Sequence, residues 1–185
     1  MLRGLPTFVL LSAIQAFGGN IQMLPPLPNG GVARAVQVDA GGNIYVAGPQ
    51  NGGNGFVAKL APDGSTVMYW TVIPGAGVNA LAIGSDGSAY VTGIAPPNFP
   101  TTPGAMQSTI GSSEQAFAAR FDPNGKAQYA TYIGGPAQTQ GTSIAIDAAG
   151  NAYATEPLFG NRPLPCPVRA LRSSPGCERG WNREW

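Results

Sequence analysis

One stretch of sequence occurs twice in full and begins a third time, and this constrains the fold more than any single motif. The first unit opens with ARAVQVDAGGNIYVAG (Ala33 to Gly48), the second with VNALAIGSDGSAYVTG (Val78 to Gly93) and the third with GTSIAIDAAGNAYATE (Gly141 to Glu156). Tyr45, Tyr90 and Tyr153 align, as do Gly42, Gly87 and Gly150, at spacings of 45 and 63 residues. Later in the unit, GFVAKLAPDG (Gly55 to Gly64) matches AFAARFDPNG (Ala116 to Gly125), and YWTVIPG (Tyr69 to Gly75) matches YATYIGG (Tyr129 to Gly135). The second unit is longer because of one insertion, PPNFPTTPGAMQSTIGSS, residues 96–113, whose four prolines mark it as a loop rather than a strand. Repeats of this period are the signature of architectures stacked from identical supersecondary units.

Each unit holds four short strand candidates, which in the second unit are Ala80–Ile83, Ala89–Thr92, Ala116–Phe121 and Gln128–Ile133. Apolar residues alternate with polar or small ones, as at Val36, Val38, Ile44 and Val46. The links between strands are turn chemistry. DAGGN, SDGS and DAAGN join strands one and two, and PDG and PNG join strands three and four. Glycine supplies the positive φ of a tight hairpin turn, and Asp or Asn caps it through the side chain. Four antiparallel strands per unit predict an all-β fold, an incomplete β-propeller of four-stranded antiparallel blades.

On these residues the units resemble the SBBP repeat, the bacterial β-propeller repeat. The resemblance is carried by YATYIGG, SIAIDAAGNAYAT, NFPTTPGA and AFAARFDPNG, and covers roughly residues 33–155. The hairpin also looks like that of the NHL repeat, but the FPTTPGA stretch (Phe99 to Ala105) favours the former. The resemblance implies a secreted or surface repeat protein of bacteria, and the repeat itself has no assigned catalytic residues.

The expected organisation is a candidate signal peptide at 1–16, a Pro/Gly-rich lead-in at 17–32, blade 1 at 33–77, blade 2 at 78–140 with its loop insertion at 96–113, the first hairpin of blade 3 at 141–155, and an irregular tail at 156–185. The signal reading rests on one Arg followed by an apolar run, Leu5 to Ala16, too short to span a bilayer comfortably; the alternative is a mature strand packing on a neighbour. The tail breaks the pattern. Residues 156–185 hold five of the ten basic side chains, both cysteines and two of the three tryptophans, with no strand periodicity. This reads as a shifted reading frame or truncation, with a genuine tail as the alternative. Two units and a hairpin fall short of the roughly four to eight blades that close a ring. The expectation is therefore a fragment of a longer protein, or self-association through open blade edges and an apolar terminal face.

Candidate chemistry is sparse. Net charge is +1 and only 10% of residues are charged, which gives no attraction for nucleic acid or an anionic membrane. The chain has no histidine, so it lacks the usual general base and cannot form a Ser-His-Asp triad. Asp39, Asp63, Asp86, Asp122 and Asp147 mostly sit in turn motifs, and Asp39 with Asp147 and Asp63 with Asp122 share repeat positions, which favours turn capping. A Ca²⁺ loop is the sharper alternative, but DAGGN lacks the carboxylate density and the distal Glu such a site needs. Cys166 and Cys177 suit a disulfide in a secreted protein but are a poor zinc site without His. GGNIYVAG and GGNG lack the lysine and strand–loop–helix setting of a phosphate loop. Most of Tyr45, Tyr69, Trp70, Tyr90, Phe117, Tyr129, Tyr132 and Tyr153 are expected to pack blade against blade, with some lining a ligand face as the alternative. No catalytic, cofactor-binding or metal residue and no cofactor is expected. The leading functional expectation is a non-enzymatic, exported or envelope module that binds a protein or glycan. The alternative is part of a propeller enzyme, a lyase or hydrolase, with its catalytic groups elsewhere.

Overall fold

The computed structural model describes residues 24–110, 113–135 and 137–155 and the backbone of 169–171, and among these it has eleven strands, ten of them within the repeats. The first sheet holds β1 (Ala35–Val38), β2 (Ile44–Gln50), β3 (Asn54–Leu60) and β4 (Val67–Ile73), in that order. The second holds β5 (Gly77–Ile83), β6 (Ala89–Ala95), β7 (Gln115–Phe121) and β8 (Ala127–Ile133). The third runs β11 (Arg169–Leu171), β10 (Ala152–Thr155), β9 (Ser143–Ile146). Every pairing is antiparallel. The sheets are successive propeller blades, and the described residues do not close a ring. The strands of the second unit fall where the alternation placed them and run one to three residues further; β5 reaches back to Gly77 through a bulge at Val78/Ala80.

Local chemistry fixes the first hairpin of each blade. Gly42, Gly87 and Gly150 have φ near +80°, a conformation open to glycine at little cost. A second glycine is needed for a different reason. Gly48 and Gly93 end the YVAG and YVTG stretches, and a Cβ there would run into the carbonyl oxygen of Val32, in the lead-in just before β1, or of Gly77, the first residue of β5. The close pass lets that strand hug the blade, and no side chain fits between.

Blades then pack through two unlike faces. Tyr45 and Ala47 on blade 1 meet Leu81, Ala89 and Val91 on blade 2, in a core that also holds Phe117 and Tyr132. Tyr90 and Ala118 on blade 2 meet Ile144 and Ala152 on blade 3. The aromatic residue of the hairpin thus leans on the aliphatic inner strand of the next blade. Burial follows position. Leu81 and Ile144 are 4% and 8% exposed, while Val36, their equivalent in blade 1, is 56% exposed because no blade precedes it among the described residues.

The remaining face of blade 1 is not fully open. Leu24 and Leu27 of the lead-in pack with Ile44, Val46, Phe56, Leu60 and Trp70. Trp70 stacks on Phe56 at 4.2 Å between ring centroids and donates its indole N–H to Gln50. The Val32 and Arg34 N–H groups donate to the Pro49 and Ala47 carbonyls at 2.8 and 2.9 Å, so the lead-in prolongs the β1–β2 pairing.

The described residues of the blade 2 insertion form no strand, yet it is not a free loop. It lies along the outer edge of β8 as a strap. Thr102 N–H donates to the Ala130 carbonyl at 3.0 Å, and Tyr132 N–H donates to the Gln107 carbonyl at 3.1 Å. Phe99 is buried against Phe117 and Tyr132. The Tyr132 hydroxyl donates to the Pro96 carbonyl and accepts from Phe99 N–H. An uncovered edge strand exposes unpaired backbone groups, and the strap occupies them.

Within the tail, read from the sequence as irregular, three residues have a described backbone. The backbone of Arg169–Leu171 pairs antiparallel with Ala152–Ala154 as a third strand. An unpaired β10 edge offers backbone donors and acceptors to any segment that can extend, so no repeat pattern is needed there. The candidate signal peptide, Cys166, Cys177 and the rest of the tail lie outside the described residues.

Replacing Gly93 with Ala should therefore cost about 2 kcal/mol or more, since backbone must shift to admit the methyl group. Gly135→Ala meets nothing within 4 Å and should stay within about 0.5 kcal/mol of the parent. Urea unfolding followed by tryptophan fluorescence compares the two.

Candidate functional site

The inner strands β1, β5 and β9 stand side by side, so their following turns gather at one end of the propeller axis. They border an open cleft of about 420 Å³, lined by Gln37, Val38 and Asp39 from blade 1, Ile83 and Ser85 from blade 2, and Ile146 and Asp147 from blade 3. The carboxylates at its rim are already engaged. Asp39 Oδ1 accepts the Gly41 and Asn43 N–H groups at 2.9 Å each, and Oδ2 accepts the Asn43 amide and the Tyr45 hydroxyl. Asp147 repeats the scheme with Ala149, Asn151 and Tyr153. In blade 2, Asp86 accepts from Ser88 N–H and hydroxyl and from Arg120.

These bonds set the ionisation. Desolvation tends to raise Asp39, but donation from Asn43, Tyr45 and Gly41 outweighs it and holds the carboxyl below its ordinary value. Asp86 has the same balance, with Ser88 and the Arg120 charge opposing desolvation. Asp147 is lowered chiefly by the Asn151 side chain and backbone, and Asp63 by Ser65. Asp122 accepts from Asn124 and Lys126 N–H at 2.9 Å in the β7–β8 turn. Lowered and locked as acceptors, the Asp39, Asp63, Asp86 and Asp147 carboxylates hold their turns well and exchange protons poorly near neutral pH. Among the described residues, no three of His, Cys, Asp or Glu come together as a metal-binding group.

One recurring cation completes the first turn of blade 1 and of blade 2, a feature the strand pattern alone did not single out. Lys59 Nζ lies 3.8 Å from Asp39 and 5.0 Å from the centre of the Tyr45 ring. Arg120 lies 2.8 Å from Asp86 and 5.3 Å from the centre of the Tyr90 ring. The signal was present in the alignment of FVAKL with FAARF, where a basic residue recurs inside a strand. The tyrosine that the cation covers then crosses to the next blade. Tyr45 hydroxyl lies 3.1 Å from the Gly87 carbonyl, and Tyr90 hydroxyl lies 3.4 Å from the Gly150 carbonyl. Thr71 adds a 2.7 Å bond to the Gly125 carbonyl. Tyr69 and Tyr129, also equivalent, are held on these faces with buried hydroxyls, and burial raises both phenols. The expected aromatics thus divide. Most form junctions between blades, Tyr153 donates to Asp147 in its own turn, and Trp70 lies under the lead-in.

Residues 128–155 match the family model of the SBBP β-propeller repeat. No curated protein matches the chain. The matched segment begins at the last strand of blade 2 and ends with the first hairpin of blade 3.

Two outcomes follow from this geometry. Tyr45→Phe and Tyr90→Phe should each lower stability by about 0.5–1.5 kcal/mol, the net worth of one hydrogen bond, measured by urea titration. Stability should be nearly level from neutral pH down to about 4 and then fall in acid. The folded-state Asp39, Asp63, Asp86 and Asp147 carboxyls lie below their unfolded values, so their contribution is complete above the unfolded pKa and is lost as pH drops through the folded one. Melting temperature against pH checks the direction; a rise in stability below pH 4 contradicts it.

Proposed function

We propose that this chain of SBBP β-propeller repeats is a non-enzymatic interaction or structural module, exported to the cell envelope or beyond. The observation that carries this reading is the use made of the recurring polar residues. The aspartates at the axis end are acceptors within their own turns, and the paired cations and tyrosines are engaged in holding them and the next blade. Positions that recur are thereby spent on architecture. What differs between the blades is left for recognition, as is usual where loops ride on a rigid scaffold.

The insertion strap is the main such difference. Its buried Phe99 and its bonds to β8 fix its course, while Asn98, Pro100, Pro103 and Met106 stay exposed. A pinned loop loses little entropy on binding, so it suits recognition of a protein or a glycan surface. The candidate leader at 1–16 supports export.

Pull-down with the purified chain against a panel of cell-wall glycans and envelope proteins tests the reading. Retention on one class is expected. Substituting Asn98 and Met106 with Ala should weaken it at least about fivefold while leaving the melting temperature unchanged. No retention across the panel overturns the proposal.

A further inference from the structure

The dipeptide Asn-Gly occurs four times in the chain, starting at Asn29, Asn51, Asn54 and Asn124, and the fold treats the four differently. The pair has a chemistry of its own. The backbone nitrogen of the glycine can attack the side-chain carbonyl carbon of the asparagine, and glycine has no Cβ to obstruct that approach. The attack needs a glycine nitrogen free of hydrogen bonding and a peptide free to turn towards the side chain.

Three of the sites are held shut. Gly125 is buried, and its N–H donates to the Asp122 carbonyl at 2.9 Å in the β7–β8 turn. Asn54 begins β3, and its side-chain oxygen accepts the Gly75 N–H at 2.9 Å. Gly55 after it is buried in the ladder, opposite Pro49 and Ile73. Asn29 is exposed, but its peptide with Gly30 lies inside a tight turn that the Gly31 N–H closes on the Pro28 carbonyl at 3.0 Å. Asn51 is different. It opens the loop between β2 and β3, whose ladder ends at Gln50 and Asn54. Asn51, Gly52 and Gly53 are all exposed, and among the described residues the Gly52 N–H has no acceptor. A Cβ on Gly53 would meet nothing within 4 Å, so the tip has room to turn.

We propose that the Asn51–Gly52 peptide is a self-modification site, which the folded chain converts to an isoaspartyl or aspartyl link while the other three Asn-Gly pairs persist. The Gly52 nitrogen bonds to Asn51 Cγ, the Cγ–Nδ2 bond breaks, and the proton of the attacking nitrogen leaves with the amide as ammonia. The five-membered imide then takes up one water. Opening at the main-chain carbonyl routes the backbone through Cγ, and opening at Cγ leaves an ordinary aspartate. Nothing is oxidised or reduced, and water is the sole co-reactant. The position bears on the fold because Asn51 sits where the hairpin meets the lead-in. Its N–H donates to the Asn29 carbonyl at 3.3 Å, and a Cβ on Gly30 would run into its side-chain amide. The product places a negative charge there, beside the segment that covers Phe56 and Trp70. This inference rests on the hairpin tip alone and is independent of the interaction reading above.

Peptide mapping by mass spectrometry tests it on the purified full chain held in mildly alkaline buffer, with electron-transfer fragmentation to tell isoaspartate from aspartate. Conversion at Asn51 should run about tenfold or more ahead of Asn29, Asn54 and Asn124, since a bonded or turn-locked peptide must first be released by local opening. In concentrated urea, where that protection is lost, the four sites should convert at comparable rates, because glycine follows each of them. Asn51→Gln should abolish conversion at 51 over the same period, since glutamine has to close a larger ring, and should keep the β-sheet circular dichroism of the parent. Conversion at any of the other three sites as fast as at Asn51 in the folded chain overturns the proposal. So does an Asn51 that stays intact when the urea sample has largely converted.

Discussion

A tyrosine hydroxyl reaching the carbonyl of the next blade's turn is the contact on which the rest of this structure depends. A four-stranded blade has two apolar faces and no means of burying both itself. The chain resolves this by making the faces unlike. One carries a tyrosine held by a cation, as with Lys59 over Tyr45, and the other an aliphatic strip that ends in a glycine turn. The glycine serves twice. Its positive φ closes the hairpin, and its carbonyl accepts the neighbouring phenol, as Gly87 accepts Tyr45. Glycines at 48 and 93 draw the inner strand in beside this contact. An error at any of these positions would affect the junction before it affected the sheet.

The matched repeat follows the same logic. It runs from residue 128 to 155, from β8 of one blade through the first hairpin of the next. The matched segment thus spans the step from one blade to the next. This explains why the YATYIGG strand precedes the SIAIDAAGNAY hairpin in the repeat, although they lie in different sheets. It also explains how the second unit takes an insertion without loss of fold. The added residues enter between β6 and β7, inside one blade, and the junctions on either side keep their spacing.

What was legible in the sequence was what is local. Asp39, Gly42 and Tyr45 lie within seven residues, and their aligned recurrence announced the hairpin, its cap and its aromatic anchor. The strap and the lead-in were not legible as cover. Phe99 looks like one apolar residue in a Pro-rich loop until Tyr132, 33 residues on, supplies the pocket and the hydroxyl. Leu24 and Leu27 acquire a role only when Phe56 and Trp70 form a shelf for them. Pairing on a free edge depends on backbone groups, which every residue has, so composition gives no warning of it. The short β11 pairing with β10 has the same cause.

The break after Thr155 can now be stated in structural terms. Positions 48 and 93 need glycine because the carbonyls of Val32 and Gly77 occupy the space a Cβ would take. The sequence has Glu156 at the equivalent position. Glutamate there departs, at the level of sequence, from the glycine that the first two units share. The repeat geometry that the first two units share is therefore fulfilled in the third as far as its first hairpin. Through that hairpin the chain still has all the elements of a junction: Ile144 buried, Asp147 capping, Gly150 accepting Tyr90. Beyond it, the requirements of the blade and the identity of the residues part company.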